Sequence, residues 1–208
     1  MSIFVSMASP STTSGSQQRM RLFIAVNFPL RLRDRILRMT RSLRASDLPM
    51  RWVGRDGLHL TLKFLGEVRS ATVDALEETL AGVAVSFRPF PLRFERIGAF
   101  PSLRHPRVIW LGAEPTPEIR FLKQDLERAF GEFGIRPEQR PYQPHVTLGR
   151  ALRSGEAGTF RALEGMARES FLPLEYRVTH IDLMRSRLSP AGATYTLLKA
   201  ARLGARNR

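Results

Sequence analysis

A chain of 208 residues, 43% hydrophobic and 25% charged, has ordinary globular composition and enough length for one substantial core or two small ones. It contains no cysteine, which excludes disulfides, thiolate metal sites and a thiol nucleophile. The formal net charge is +14, and every basic residue except Lys63, Lys123 and Lys199 is an arginine, a side chain that can grip phosphate with two hydrogen bonds, although arginines scattered over a solvated surface give the same count.

Residues 1–19 carry no periodic apolar pattern and read as a disordered tail, with Met20 as an alternative start of translation. Ile3-Phe4-Val5 is too short for a secretory core, and no apolar run approaches the roughly 20 residues of a membrane span, so a soluble, cytoplasmic protein is expected. Leu22–Val26 is a strand-length apolar run. A helix follows Pro29, with Ile36, Leu37, Thr40 and Leu43 on one face and Arg31, Arg35, Arg38 and Arg41 on the other. Leu58–Leu65 reads as a strand, Thr72–Val83 as an amphipathic helix, and Phe90–Gly98 and Val108–Gly112 as strands.

A second long helix opens at Thr116-Pro117-Glu118, with a capping hydroxyl, proline in the first turn and Gly134 as its stop. His145–Arg150 is the next strand, and residues 151–169, with Gly155 and Gly158, form a loop with a short helix. Phe171–Val178, Ile181–Arg187 and Thr194–Lys199 read as strands, with a turn at Ser189–Gly192 before the last, and 201–208 form a basic C-terminal tail. Strands mixed with helices without strict alternation predict an α+β domain over residues 20–200.

One pattern carries chemistry. His59-Leu60-Thr61-Leu62 recurs as His145-Val146-Thr147-Leu148. Strand alternation puts histidine and threonine on one face and the aliphatic residues on the other. If the two halves are related by a pseudo-two-fold axis, the pairs face each other across a cleft. One imidazole can then take a proton from an attacking water while the other gives one to a departing sugar oxygen, and the hydroxyls can hold phosphoryl oxygens. Zinc is the competing reading of two convergent histidines, but it usually needs three protein ligands, and neither repeat contains Asp or Glu. No metal or other cofactor is therefore called for. His105 reads as a loop residue and His180 as structural.

These motifs, with Arg21–Val26, Arg51-Trp52-Val53, Gly98–Pro101, Val108–Gly112 and Arg140-Pro141-Tyr142, resemble the RNA 2′,3′-cyclic phosphodiesterases, also called 2′-5′ RNA ligases, of the two-histidine phosphoesterase superfamily. The resemblance spans about residues 20–200. It implies a bilobal α+β fold in which two antiparallel sheets line a central cleft with helices outside. It also implies hydrolysis of an RNA 2′,3′-cyclic phosphate end to a 2′-phosphate, with His59 as proton donor and His145 as proton acceptor. That division is carried over, because the flanks of the two histidines are alike. Thr61 and Thr147 would hold the phosphate.

Arg150 is either a phosphate ligand or a surface arginine, and Tyr142 either stacks on a base or packs in the core. Regular alternation puts Lys63 on the face of His59 and Thr61, within reach of RNA, and Phe64 in the core. Gly149 stands where alanine is commoner in the family. The same site could run the reverse 2′-5′ joining reaction, and a basic cleft that binds RNA ends without turnover is the alternative of another class. RNA ends are the expected partner, and a monomer the expected state.

Overall fold

Leu22, Ile24 and Val26 are sealed in the main core, while Phe23 and Ala25 face the other way and form a small cluster with Met184. This two-faced strand, β1 (Arg19–Asn27), belongs to an antiparallel sheet with helices packed on one face. The computed structural model describes residues 18–152, 160–190 and 192–204. Most of the expected N-terminal tail, the segment with Gly155 and Gly158, and residues 205–208 lie outside that range.

After β1 come α1 (Leu30–Met39), α2 (Arg41–Ala45), β2 (Met50–Trp52), β3 (His59–Arg69) and α3 (Val73–Val85). Then follow β4 (Phe90–Pro101), β5 (Pro106–Ala113), α4 (Pro117–Gly131), β6 (His145–Ala151), α5 (Leu163–Ser170), β7 (Leu174–Val178), β8 (His180–Ser189) and β9 (Gly192–Arg202). The apolar stripes of all five helices, such as Ile119, Leu122, Leu126 and Phe130 on α4, enter the main core. Each fully buried leucine there stabilises the fold by about 2 kcal/mol.

The two separate sheets that the resemblance implies are one. Its strand order is β7-β4-β5-β6-β3-β1-β8-β9, with β2 also paired to β6. The join is narrow, since β3 and β6 pair only at Leu60↔Val146.

Other expectations need correction. Thr116 takes the N-cap position of α4, but its hydroxyl is buried without a hydrogen-bond partner, so the capping bond is not made. Phe171 caps α5, so the strand expected from Phe171 begins at Leu174. At the two ends, Arg19 opens β1, and Ala201 and Leu203 are buried, so neither residue 19 nor residues 201–203 belong to tails.

Two of the sheet's bulges fall within the repeats and shift their pleat. Against β1 the register runs Ile24↔Lys63 and then Ala25↔Thr61, leaving Leu62 as an extra residue. Against β5 it runs Ile109↔Gly149 and then Trp110↔Thr147, leaving Leu148 extra. The last residue of each four-residue repeat is thus the bulged one, and the faces exchange beyond it. Lys63 turns inward and is fully buried; Phe64 turns outward and is 55% exposed. Both expectations from simple alternation were therefore inverted. Gly149 also turns toward the helices, where a Cβ would lie 2.8 Å from the ring of Trp52.

Buried Lys63 is paired with Glu127 of α4, which also holds Lys123; Lys123 in turn reaches Glu138. Burial alone would raise the Glu127 carboxyl, but hydrogen bonds from the two ammonium groups outweigh it and hold the group below its usual range. Removing Glu127 leaves the charge of Lys63 buried and uncompensated, whereas removing Lys63 leaves Glu127 still paired with Lys123. Glu127→Gln should destabilise the protein by about 3 kcal/mol and Lys63→Met by much less. Urea unfolding of both variants checks this, and equal losses would contradict it.

Candidate active site

Leu60 and Val146, paired across the narrow join, are fully buried among the helices. Their neighbours His59, Thr61, His145 and Thr147 therefore point to the opposite face, and all four are half-buried. Antiparallel pairing about Leu60↔Val146 sets His59 across from Thr147 and Thr61 across from His145. Both histidine–threonine pairs thus meet on one face.

Aromatic rings wall each imidazole. His59 lies 5.0 Å from the ring centre of Phe23 and 4.9 Å from that of Tyr195. His145 meets Phe100 edge-on at 5.1 Å, with Trp110 beyond. The Nδ1 of His145 is 2.7 Å from the Gln143 carbonyl. A carbonyl only accepts, so Nδ1 carries the proton and Nε2 is the free base in the neutral ring. His59 makes a corresponding bond to the backbone of Gly57, also two residues upstream.

Burial dominates both imidazoles. It pushes His59 down to about 4, and the positive charges of Arg33, Arg150 and His145 add to the effect against the Gly57 bond. His145 is also lowered, by burial and then by Arg150, against the Gln143 bond. Arg150 thus acts on both histidines. The bulge at Leu148 explains how, by turning Arg150 onto the histidine face as Gly149 turns away.

The other expected site residues divide. Tyr142 donates from its hydroxyl to the Thr61 carbonyl at 3.1 Å, and burial raises its phenol. It packs partly against the core and also lines a cleft of about 460 Å³ beside His145. Lys63 does not reach the site. Phe64 does reach the histidine face, its ring 6.3 Å from that of Phe23. His105 and His180 are exposed, at the end of the bend before β5 and at the start of β8 respectively.

Sequence reasoning missed Arg33 and the aromatic walls. Arg33 donates to the Phe28 carbonyl and pairs with Asp56, and its neighbour Asp34 pairs with Arg55. These two crossed pairs tie α1 to the turn that carries Gly57. The adjacent Arg33-Asp34 and Arg55-Asp56 were the available signal. Among the described residues no three histidine or carboxylate groups converge as a metal site, and no helix is long and apolar enough to cross a membrane.

The sequence model of the 2′-5′ RNA ligase superfamily matches residues 28–189. The chain belongs to that superfamily. Within it, the chain is 33% identical over 185 residues to an RNA 2′,3′-cyclic phosphodiesterase of Methanothermobacter thermautotrophicus, covering 89% of this chain and 100% of that protein. It is 32% identical to the RNA 2′,3′-cyclic phosphodiesterase of Archaeoglobus fulgidus, covering 86% and 98%. Escherichia coli LigT, crystallised with 3′-AMP, superposes with a TM-score of 0.71 at 30% identity, covering 89% of this chain and 99% of LigT. A Thermus thermophilus structure gives 0.75 at 28% identity, covering 90% and 100%.

For this superfamily member the depressed His59 has a consequence for stability. Between pH 6.5 and about 4 the unfolded chain binds a proton at His59 that the folded protein refuses. Stability therefore falls as pH drops through that window, by up to roughly 3 kcal/mol from this residue. Urea unfolding at pH 7 and pH 4.5 should show a smaller loss in His59→Gln than in wild type. Parallel losses would remove His59 from the account.

Proposed function

We propose that this chain hydrolyses RNA 2′,3′-cyclic phosphate ends to 2′-phosphomonoesters, with His59 as proton donor and His145 as proton acceptor. The observation that carries the reading is the Leu60↔Val146 pairing, which centres two His/Thr pairs on one open face in a locally two-fold arrangement. In this reading the strands on either side of the pair are the two lobes, related by the pseudo-two-fold axis. The relatives named RNA 2′,3′-cyclic phosphodiesterase support the substrate, while the division of labour between the histidines is the one the family resemblance implies.

The geometry suits in-line displacement. Water beside His145 loses its proton to Nε2, the new oxygen bonds to phosphorus, the bond to the 3′-oxygen breaks, and that oxygen takes its proton from His59. Thr61 and Thr147, set diagonally, donate to the two remaining phosphoryl oxygens, and Arg150 faces the charge they carry.

The depressed imidazoles make catalysis depend on the substrate. At neutral pH both rings are mostly neutral in the free protein. A bound anionic phosphate opposes the repulsion from Arg150 and Arg33 and favours a proton on His59, so the acid is charged where it is needed.

An oligoribonucleotide ending in a 2′,3′-cyclic phosphate, incubated without added metal, should yield a 2′-phosphate. His59→Ala and His145→Ala should each lose turnover by roughly 10²- to 10⁴-fold. Undiminished turnover in either variant would sink the assignment. The profile of kcat/KM against pH should be a bell displaced to the acid side of 6.5, because it reports the free protein. Arg150→Gln should lower the rate and move both limbs to higher pH, since a charge that repels the protons is gone; limbs that stay in place would contradict the electrostatic role of Arg150.

A further inference from the structure

A second cleft, of about 320 Å³, lies between α1 and the link from α5 to β7. It sits on the helix-covered side of the sheet and so opens away from the histidines. Met39, Leu172 and Leu174 form its floor, and Arg35 and Arg38 stand over them. Leu172 is 58% exposed, although both walls are tied to the link that carries it. The Met39 thioether accepts from the Leu172 backbone N–H at 3.4 Å, and Arg35 donates to the Pro173 carbonyl at 3.4 Å. Just beyond, the Ser42 and Ser170 hydroxyls meet at 2.9 Å. The apolar floor is therefore held in place by contacts from α1 and α2.

The charge above it is one-sided. Arg31, Arg35 and Arg38 stand at i, i+4 and i+7 and share one face of α1. All three are exposed, and among the described residues none of them pairs with a carboxylate. On the same helix Arg33 and Asp34 do have partners, in the turn before His59, so the unpaired row belongs to the cleft side. The row runs for about 10 Å, the length of roughly three residues of extended chain.

The floor decides which anion fits. Among the described residues its lining carries no aromatic ring, the platform on which nucleobases stack. An exposed leucine beside an adaptable methionine instead suits an aliphatic or aromatic side chain. The planar guanidinium groups alongside suit carboxylates, which they can hold with two hydrogen bonds.

We propose that this cleft docks an acidic segment of a partner protein, with an apolar side chain against Met39, Leu172 and Leu174 and flanking carboxylates at Arg35 and Arg38. Arg31 continues the contact along α1. A partner held there leaves the histidine face open, so docking and turnover can proceed together. The inference is independent of the roles assigned to His59 and His145.

The test uses a fluorescein-labelled peptide, Asp-Glu-Leu-Phe-Glu-Asp, titrated with the full chain at roughly 0.15 M salt and followed by anisotropy. Wild type should bind it saturably, and the amide counterpart Asn-Gln-Leu-Phe-Gln-Asn should not bind. Arg35→Gln/Arg38→Gln should weaken binding by about tenfold or more, because two charge-assisted contacts are lost. Leu172→Ser, which keeps both arginines, should weaken it several-fold through the floor. Arg69→Gln/Arg202→Gln, which removes the same charge from β3 and β9, should leave it nearly unchanged. No saturable binding, equal losses in the two double variants, or equal binding of the amide peptide would overturn the docking site. An oligoribonucleotide without a cyclic phosphate, weakened by Arg35→Gln/Arg38→Gln as strongly as the peptide, would overturn it too and give the cleft to RNA.

Discussion

The site depends on one residue pair in the middle of the sheet. Leu60 and Val146 meet where β3 and β6 touch, and both are drawn into the core by the same apolar pressure that holds the helices. Because neighbouring side chains on a strand point opposite ways, burying this pair forces two histidines and two threonines onto the other face. Slipping the register by one residue would bury the polar groups and expose the leucine and valine. The most expensive mistake in packing is therefore also the one that would dismantle the site, and core and site are specified by the same contact.

Around that contact the protein works against its own histidines. Aromatic walls and nearby guanidinium groups make a proton unwelcome on either ring, although the proposed chemistry requires one. In the proposed reaction the resolution lies in the ligand, because an anionic phosphate would supply the charge that this basic hollow lacks. Such a site stays in the wrong protonation state until the right kind of molecule arrives, which is a form of selectivity expressed through charge rather than shape. The crossed pairs between α1 and the turn before His59, and the Tyr142 bond to the Thr61 carbonyl, hold the groups in place while that charge changes.

Much of this was legible in the chain. The repeated motif, its faces and most element positions follow from apolar period and turn residues. The bulges were not legible, because Leu62 and Leu148 are ordinary strand residues and the extra residue is defined only by the partner strand. These two unseen shifts account for Lys63 and Phe64 on β3 and for the orientation of Arg150 on β6. A buried lysine also needs its carboxylate, and Glu127 lies 64 residues away on another element. Arg33 was hidden for a similar reason: its approach to His59 depends on how α1 packs. The continuity of the sheet was beyond reach as well, since one bridging pair decides between one sheet and two.

Trp52 and Gly149 constrain one another sterically. The indole occupies the space in which a methyl group at 149 would stand, and the two residues are paired neighbours on β2 and β6. A mutation at 149 alone meets a filled volume next to the strand that carries His145, whereas the same mutation after Trp52 has become smaller meets a vacancy. With tryptophan at 52, a side chain at 149 is admitted only if the ring shifts or shrinks, so the pair couples the two positions beside the strand of the second histidine.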